Sequence, residues 1–329
     1  MKYLKLLLKL SITCVVLWFV WSHVNLSQIQ SILTNPWLLS VIPICWIINQ
    51  LFTSLRLYSI VKALGRPVHL FDVIQANLGS LFIANLMPGV VGGDVIKYFY
   101  LKKNDPSISK VQLVLILMLD RILGLFAVLF WCSIFSFFID VKAVHSQLSY
   151  LNLLTYMPFV MFIFVLCFFL LFNTFMKFFS KYNFPPMIRN LIEVYEHFVK
   201  SANWRSLLLV MSYNFFAVFI LLLGLVLVGG YLEYQQIGAP MICFQFFLIP
   251  LVLIAAMLPI TPMGIGVAQI TMAAAYELYG LTPSVGVSVS TLSQLGLLFV
   301  SVFVGGVFFL LGDTRKAIKA ELGSSGQTS

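Results

Sequence analysis

The 329-residue chain is 61% hydrophobic and only 9% charged, with a mean hydropathy of +1.01. Soluble domains carry about 25% charged residues, so this composition excludes a soluble fold and calls for one polytopic domain in lipid. The net charge of +9 does not point to nucleic acid, because 18 of the 20 lysines and arginines fall in five clusters separated by apolar runs, the pattern of cytoplasmic loops.

Met1 to Trp21 opens with Lys2, Lys5 and Lys9 before an apolar stretch. Bulky Trp18, Phe19 and Trp21 stand where a signal peptide would carry small residues for cleavage, so an uncleaved first span is predicted, running from cytoplasm to outside. Trp37 to Leu55 is predicted to return and to end at Arg56; both runs approach the roughly 20 residues that a span needs. Val73 to Met87 is apolar but only 15 residues long. Pro88, Gly89, Val90, Val91, Gly92, Gly93, Asp94, Val95, Ile96 and Lys97 follow it. Proline removes a backbone donor and glycine admits dihedrals closed to other residues, so no straight helix passes through. At membrane depth, backbone freed in this way must find partners inside protein or line water. A full crossing here would also place Lys97, Lys102, Lys103 and Lys110 outside, against the charge rule. The prediction is a re-entrant hairpin that dips in from the cytoplasm, turns at Pro88-Gly89 and returns through Gly92 to Lys97. A loop at the membrane surface is the plainer reading of the same break.

Val111 to Ile139 and Leu151 to Phe175 are predicted to cross outward and back. Lys177 to Arg205 holds five basic residues, with Ile188, Leu191, Ile192, Tyr195, Phe198 and Val199 at helical spacing. It reads either as an amphipathic helix on the cytoplasmic surface or as a loop helix packed on protein. Trp204 to Gly229 goes out again. Met241 to Pro259 precedes a second break, Pro262, Met263, Gly264, Ile265, Gly266, Val267, Ala268 and Gln269, and a weakly apolar stretch reaches Tyr279. Val285 to Leu311 ends at Arg315 and Lys316, so the 241–280 region must return to its own side as a second hairpin, entered from outside. The loops Ser22 to Pro36 and Tyr231 to Pro240 contain no lysine or arginine, as outer loops should. The five cysteines and four histidines show no ligand or redox spacing. The cysteines (Cys14, Cys45, Cys132, Cys167 and Cys243) read as small buried hydrophobes, and no metal or other cofactor is expected.

The two breaks share a sequel. Asp120-Arg121-Ile122-Leu123-Gly124 follows the first, with Gly124 36 residues beyond Pro88; Ser293-Gln294-Leu295-Gly296 follows the second, with Gly296 34 beyond Pro262. The predicted fold is therefore an all-α integral membrane protein of two inverted repeats, each with three long helices and one broken re-entrant hairpin. The halves cover about 1–140 and 150–312 of a single domain over 1–312, and 313–329 forms a short cytoplasmic tail. Interrupted segments at matching positions of inverted halves mark a transport site; glycines used only for close helix packing would leave the same trace. Asp120 and Arg121 lie about 14–15 Å into their span at 1.5 Å per residue, and each costs about 2.5–3.5 kcal/mol near a helix centre. Adjacent helical residues point in different directions, so each needs a partner from elsewhere. Arg121 with Asp94 is the favoured pair, and Asp120 can accept from Lys97 or from hairpin amides. A buried structural ion network accounts for the same residues. Paired catalytic carboxylates at Asp94 and Asp120 lack a nucleophile, a ligand set or a nucleotide loop beside them.

These three stretches, 88–97, 120–125 and 259–267, resemble the signatures of the lysylphosphatidylglycerol synthase transmembrane-region family, the flippase-like membrane domains found fused to aminoacyl-lipid synthetases or alone. The resemblance covers nearly the whole chain. It departs at Lys97, where arginine is frequent, at Met263 in place of glycine, and at Gln269 in place of an acidic residue. The soluble synthetase domain has no counterpart here, so the chain is not expected to make aminoacyl-lipid itself. The resemblance implies movement of an anionic phospholipid or a polyprenyl-phosphate-linked lipid between leaflets of the cytoplasmic (inner) membrane; the clustering of basic residues predicts both termini to be cytoplasmic. The residues expected to meet the lipid headgroup are Asp94, Lys97, Asp120, Arg121, Gly92, Gly93, Gly264, Gly266 and Gln269. A cytoplasmic lipid-modifying or glycosyl-transferring enzyme is a possible partner, and nucleic acid is not. Two rival readings stay open, an integral-membrane transferase on lipid-linked substrates and a membrane scaffold for a cytoplasmic synthetase.

Overall fold

A bilayer offers the backbone no hydrogen-bonding partners, so apolar runs are driven to helix. The computed structural model describes residues 34–86, 91–138, 156–157, 159–163, 167, 204–237, 241–256, 264–278 and 281–311, and every regular element among them is helical. In chain order these are α1 (Pro36–Ala63), α2 (Leu70–Leu86), α3 (Val91–Asn104), α4 (Lys110–Ser136), α5 (Trp204–Ile237), α6 (Ile242–Ala256), α7 (Val267–Leu278) and α8 (Pro283–Phe299). A π-helical segment, Val300–Gly305, carries α8 directly into α9 (Gly306–Leu311). Four stretches are long and apolar enough to cross a membrane: Pro36–Ala63, Lys110–Ser136, Arg205–Gln235 and Pro283–Leu311. Phe216, Phe303 and Leu310 stand exposed on them, as expected of faces turned to lipid.

Local chemistry sets the boundaries. Proline occupies the first turn of α1 and of α8, where its missing N–H leaves no bond broken. α1 ends in a left-handed Gly65 (φ 71°), with the Gly65 amide donating to Lys62 and the Arg66 amide to Val61, the Schellman pattern that satisfies the last carbonyls. α4 begins in a capping box in which Ser109 and Gln112 satisfy each other's amides at 3.1 and 3.0 Å.

α1 and α5 run antiparallel, linked by Asn35 to Tyr231 at 2.9 Å and by Asn49 to the Ala217 carbonyl at 2.8 Å. Two helix pairs lean on them. α3 folds back on α2, so that a Cβ on Gly93 would come within 2.9 Å of the Ala84 Cβ. Val73 early in α2 and Leu101 late in α3 meet in one buried cluster with Leu57, Ile60, Ile108 and Leu113. The second pair, α6 and α7, meets in the same way at Glu233 of α5. The Met241 amide, just before α6, donates to Glu233 Oε2 at 2.7 Å, and the Tyr276 hydroxyl, near the end of α7, donates to Oε1 at 3.1 Å. Each pair therefore begins and ends at one level of the bundle.

Several expected boundaries differ. α1 does not stop at Arg56 but continues to Ala63, and α5 passes Gly229 to reach Ile237. In both places a polar side chain that would end an apolar run is buried against a partner, Arg56 on Asp120 and Glu233 on Tyr276. The cysteines also divide: Cys132 is buried and Cys45 partly so, but Cys167 and Cys243 are exposed. A lipid-facing surface accepts a cysteine as readily as a core does. The predicted first span, the return span from Leu151, the Lys177–Arg205 helix, Cys14, and the turns at Pro88-Gly89 and Pro262 lie wholly or mostly outside the described residues.

Candidate functional site

Ten residues into α4, about 15 Å along its axis at 1.5 Å per residue, lies Asp120, 5% exposed. Its Oδ1 accepts from Arg56 Nε at 2.8 Å and lies 2.6 Å from Arg56 Nη2. The remaining guanidinium nitrogen, Nη1, donates to Asn214 Oδ1 at 2.5 Å, and Asn214 in turn donates to the Leu123 carbonyl. A planar fork that reaches a carboxylate on one edge and an amide on another is a task lysine cannot perform. Gly124, on the next turn of α4, lies beside it: a Cβ there would sit in ordinary contact, 3.5 Å from Nη1. α1, α4 and α5 are thereby locked together by one buried arginine.

Lys97 and Asp94 reach the same region from α3. The Lys97 ammonium stands 3.5 Å from Asp120 Oδ2, with its side chain only 12% exposed. Charge-assisted bonds ordinarily close to about 2.7–2.9 Å, so this is a loose contact for a group with three donors. Among the described residues Asp120 is its polar partner. One turn earlier, Asp94 Oδ2 accepts from Arg121 Nε at 2.5 Å, in the more open pair, with Arg121 44% and Asp94 23% exposed. Among the described residues three cations, Arg56, Lys97 and Arg121, thus meet the carboxylates of Asp94 and Asp120. Asp94 and Gly93 stand in the first turn of α3, as does Gly92, so the carboxylate also meets the positive end of a helix dipole.

The expected Arg121–Asp94 pair is present, and so is the Lys97–Asp120 contact. The principal partner of Asp120 is not the one expected. Arg56 takes it, whereas spacing had placed Arg56 in a cytoplasmic loop. Among the described residues no backbone amide donates to the Asp120 carboxylate; Arg56 and Lys97 do. Above this group, α1 turns further polar residues inward: Asn77 Nδ2 of α2 donates to Gln50 Oε1 at 3.1 Å and to Ser54 Oγ at 3.0 Å. A buried polar row along one face of an apolar helix was the signal available for Arg56.

Gly264, Gly266 and Gln269 form a separate group at the start of α7, facing α8. Gly264 and Gly266 hold φ of 68° and 84°, dihedrals that strain any residue with a Cβ. They turn the chain into α7, where the Gly266 amide donates to Gln269 Oε1 at 2.6 Å. Gln269 Nε2 donates to Gln294 Oε1 at 2.8 Å and reaches Thr291 Oγ1 at 3.5 Å. Beside Gln294, an apolar cavity of about 80 Å³ opens between Trp46, Leu225, Val252, Met272 and Val289. The first group is held by α1, α3, α4 and α5, and the second by α7 and α8. The two breaks are therefore chemically unlike, one charged and one neutral. Among the described residues no three histidine, cysteine or acidic side chains assemble as metal ligands.

Comparison with known proteins adds two findings. The family model of the lysylphosphatidylglycerol synthase transmembrane region matches residues 6–305. A UPF0104 membrane protein of Pyrococcus horikoshii is 22% identical over 334 residues, an alignment covering 94% of this chain and 96% of that one.

Proposed function

The chain belongs to the lysylphosphatidylglycerol synthase transmembrane-region family, and from that premise we propose that it is a translocase moving an anionic phospholipid or a polyprenyl-phosphate-linked lipid between leaflets of the cytoplasmic membrane. One observation carries the reading. The loosest cation of the group is Lys97, an almost buried ammonium 3.5 Å from Asp120, whose carboxylate Arg56 already holds at 2.6 Å. A cation kept at membrane depth without full pairing is costly, and an arriving phosphate repays that cost. Lys97 takes the phosphate as a point charge, Arg121 stands at the open rim, and Arg56 is committed to Asp120. In this account α2–α3 and α6–α7 are the re-entrant hairpins of two inverted halves. The meeting of both ends of α6–α7 at Glu233 supports that reading, as does the clustering of Val73 with Leu101. The acyl tails stay in lipid.

The same reading makes the protein a transporter and not an enzyme. Asp94 and Asp120 are both engaged by cations, Asp94 by Arg121 and Asp120 by Arg56 and Lys97, which leaves neither as a general base. Lipid mass spectrometry of the purified protein tests the substrate class. An anionic lipid enriched over the membrane average is expected in the wild type and not in Lys97→Gln. Recovery of bulk membrane composition from both would remove the headgroup site.

Orientation follows from the clustering of basic residues. Single cysteines at Lys102 and Gln236, in a chain whose own cysteines have been replaced, are expected to label from the cytoplasm and from outside respectively. Labelling of the Lys102 position from outside would turn α2–α3 into a crossing and dissolve the inverted repeat.

A further inference from the structure

A neutral polar row lies between α1 and α2. Asn77 of α2 is 2% exposed and Gln50 of α1 9%. The bonds around them fix which way both amides face. The Ser54 hydroxyl donates to the Gln50 backbone carbonyl at 2.7 Å, so its oxygen has only lone pairs to offer Asn77. Asn77 must therefore present its NH2, which reaches Ser54 Oγ at 3.0 Å, Gln50 Oε1 at 3.1 Å and the Gln50 backbone carbonyl at 3.2 Å. Gln50 must in turn present its oxygen, because two NH2 groups cannot bond each other.

Two polar atoms are left over. Among the described residues no hydrogen bond engages Asn77 Oδ1, an acceptor, or Gln50 Nε2, a donor. Only the two amide groups and the bond between them separate these atoms, so one headgroup spans both. A phosphate oxygen accepts and an ammonium donates, whereas a hydroxyl does both and suits such a pair. The row also stands at the level of Lys97. α3 runs back along α2, and a Cβ on Gly93 would lie 3.2 Å from the Ser80 carbonyl oxygen. Lys97 is one turn beyond Gly93, and Asn77 one turn before Ser80, whose hydroxyl donates to the Asn77 backbone carbonyl at 2.7 Å. On α1, Ser54 is a near neighbour in sequence of Arg56, which shares Asp120 with Lys97.

We propose that Gln50 and Asn77 form a neutral subsite that binds headgroup hydroxyls while Lys97 holds the phosphate. A hydroxyl donates to Asn77 Oδ1 and accepts from Gln50 Nε2, and a glycerol or sugar headgroup has a hydroxyl for each. The inference rests on the translocase reading and narrows it: among anionic lipids, those with a hydroxylated headgroup are preferred to those with none. Neither side chain is charged, so this preference is lost separately from the preference for phosphate.

Competitive lipid retention tests this on the whole protein, reconstituted in vesicles of phosphatidylcholine, phosphatidylglycerol and phosphatidylmethanol with matched tails. The last two carry the same single negative charge, and phosphatidylglycerol alone of the three has headgroup hydroxyls. Mass spectrometry of the lipids that stay with the wild type is expected to favour phosphatidylglycerol over phosphatidylmethanol by about tenfold, the worth of one or two hydrogen bonds. Gln50→Met and Asn77→Leu should retain the two anionic lipids equally, both still above phosphatidylcholine. Equal or reversed retention by the wild type would mean that water alone fills the subsite; it overturns the inference and leaves the phosphate site at Lys97 standing. A preference that persists in both variants places the hydroxyls elsewhere and also overturns it. If Asn77→Leu does not fold, Gln50→Met decides alone, since it leaves the Asn77 bonds to Ser54 and to the α1 backbone in place. A wild type that retains neither anionic lipid over phosphatidylcholine removes the translocase reading, and this inference with it.

Discussion

Arg56→Met is expected to destabilise the protein by about 3–5 kcal/mol, the usual cost of stranding one member of a buried ion pair. The substitution removes both contacts to Asp120 Oδ1 and the 2.5 Å bond to Asn214. Lys97, 3.5 Å from the other oxygen, can close on the orphaned carboxylate, which places the loss at the lower end of that range. Removing the carboxylate as well, in Arg56→Met with Asp120→Leu, should recover most of it, because apolar replacement of a whole buried pair is often neutral. Thermal unfolding in lipid vesicles compares the two. A single variant as stable as wild type would mean that water reaches Arg56; a double variant worse than the single would mean that the charges hold the fold by more than their pairing.

Lys97→Gln is expected to do the opposite, abolishing transport with a much smaller loss of stability, because Asp120 keeps its closer partner Arg56 and no buried carboxylate is stranded. Loss of activity out of proportion to stability separates a substrate-binding cation from a structural one. Lys97→Arg keeps the charge and should retain part of the activity. Arg56 cannot substitute for the missing ammonium, since its nitrogens are already committed to Asp120 and Asn214. Arg121 is 44% exposed and bound to Asp94, so it can meet a headgroup at the rim but not at the depth of Lys97.

The Arg121–Asp94 pair was legible in the sequence for a simple reason. An arginine in the middle of a long apolar run must find an acid, and the nearby broken segment offered one. Arg56 was hidden by the very pattern that orients the chain. It stands beside Lys62 and Arg66, and three basic residues after an apolar run read as a loop; only Asp120 and Asn214, 64 and 158 residues away, keep it helical and buried. Glu233 was hidden likewise, in a stretch read as an outer loop because it lacks basic residues. The helix-breaking segments were visible because proline and glycine act locally, and the structure keeps Gly264 and Gly266 in left-handed conformations. What pairs across the bundle is set by packing between helices far apart in sequence, and spacing along one chain carries little of it. Gln269 shows the intermediate case: its place after the second break was legible, but its partner Gln294 on α8 was not.

Leaflet exchange in reconstituted liposomes tests the central claim most directly. With fluorescent lipids of matched tails, the wild type is expected to move an anionic phospholipid or polyprenyl-phosphate lipid faster than a zwitterionic one, and Lys97→Gln to move neither above the protein-free background. Equal exchange of the anionic lipid by wild type and Lys97→Gln, at equal reconstitution, would contradict the account.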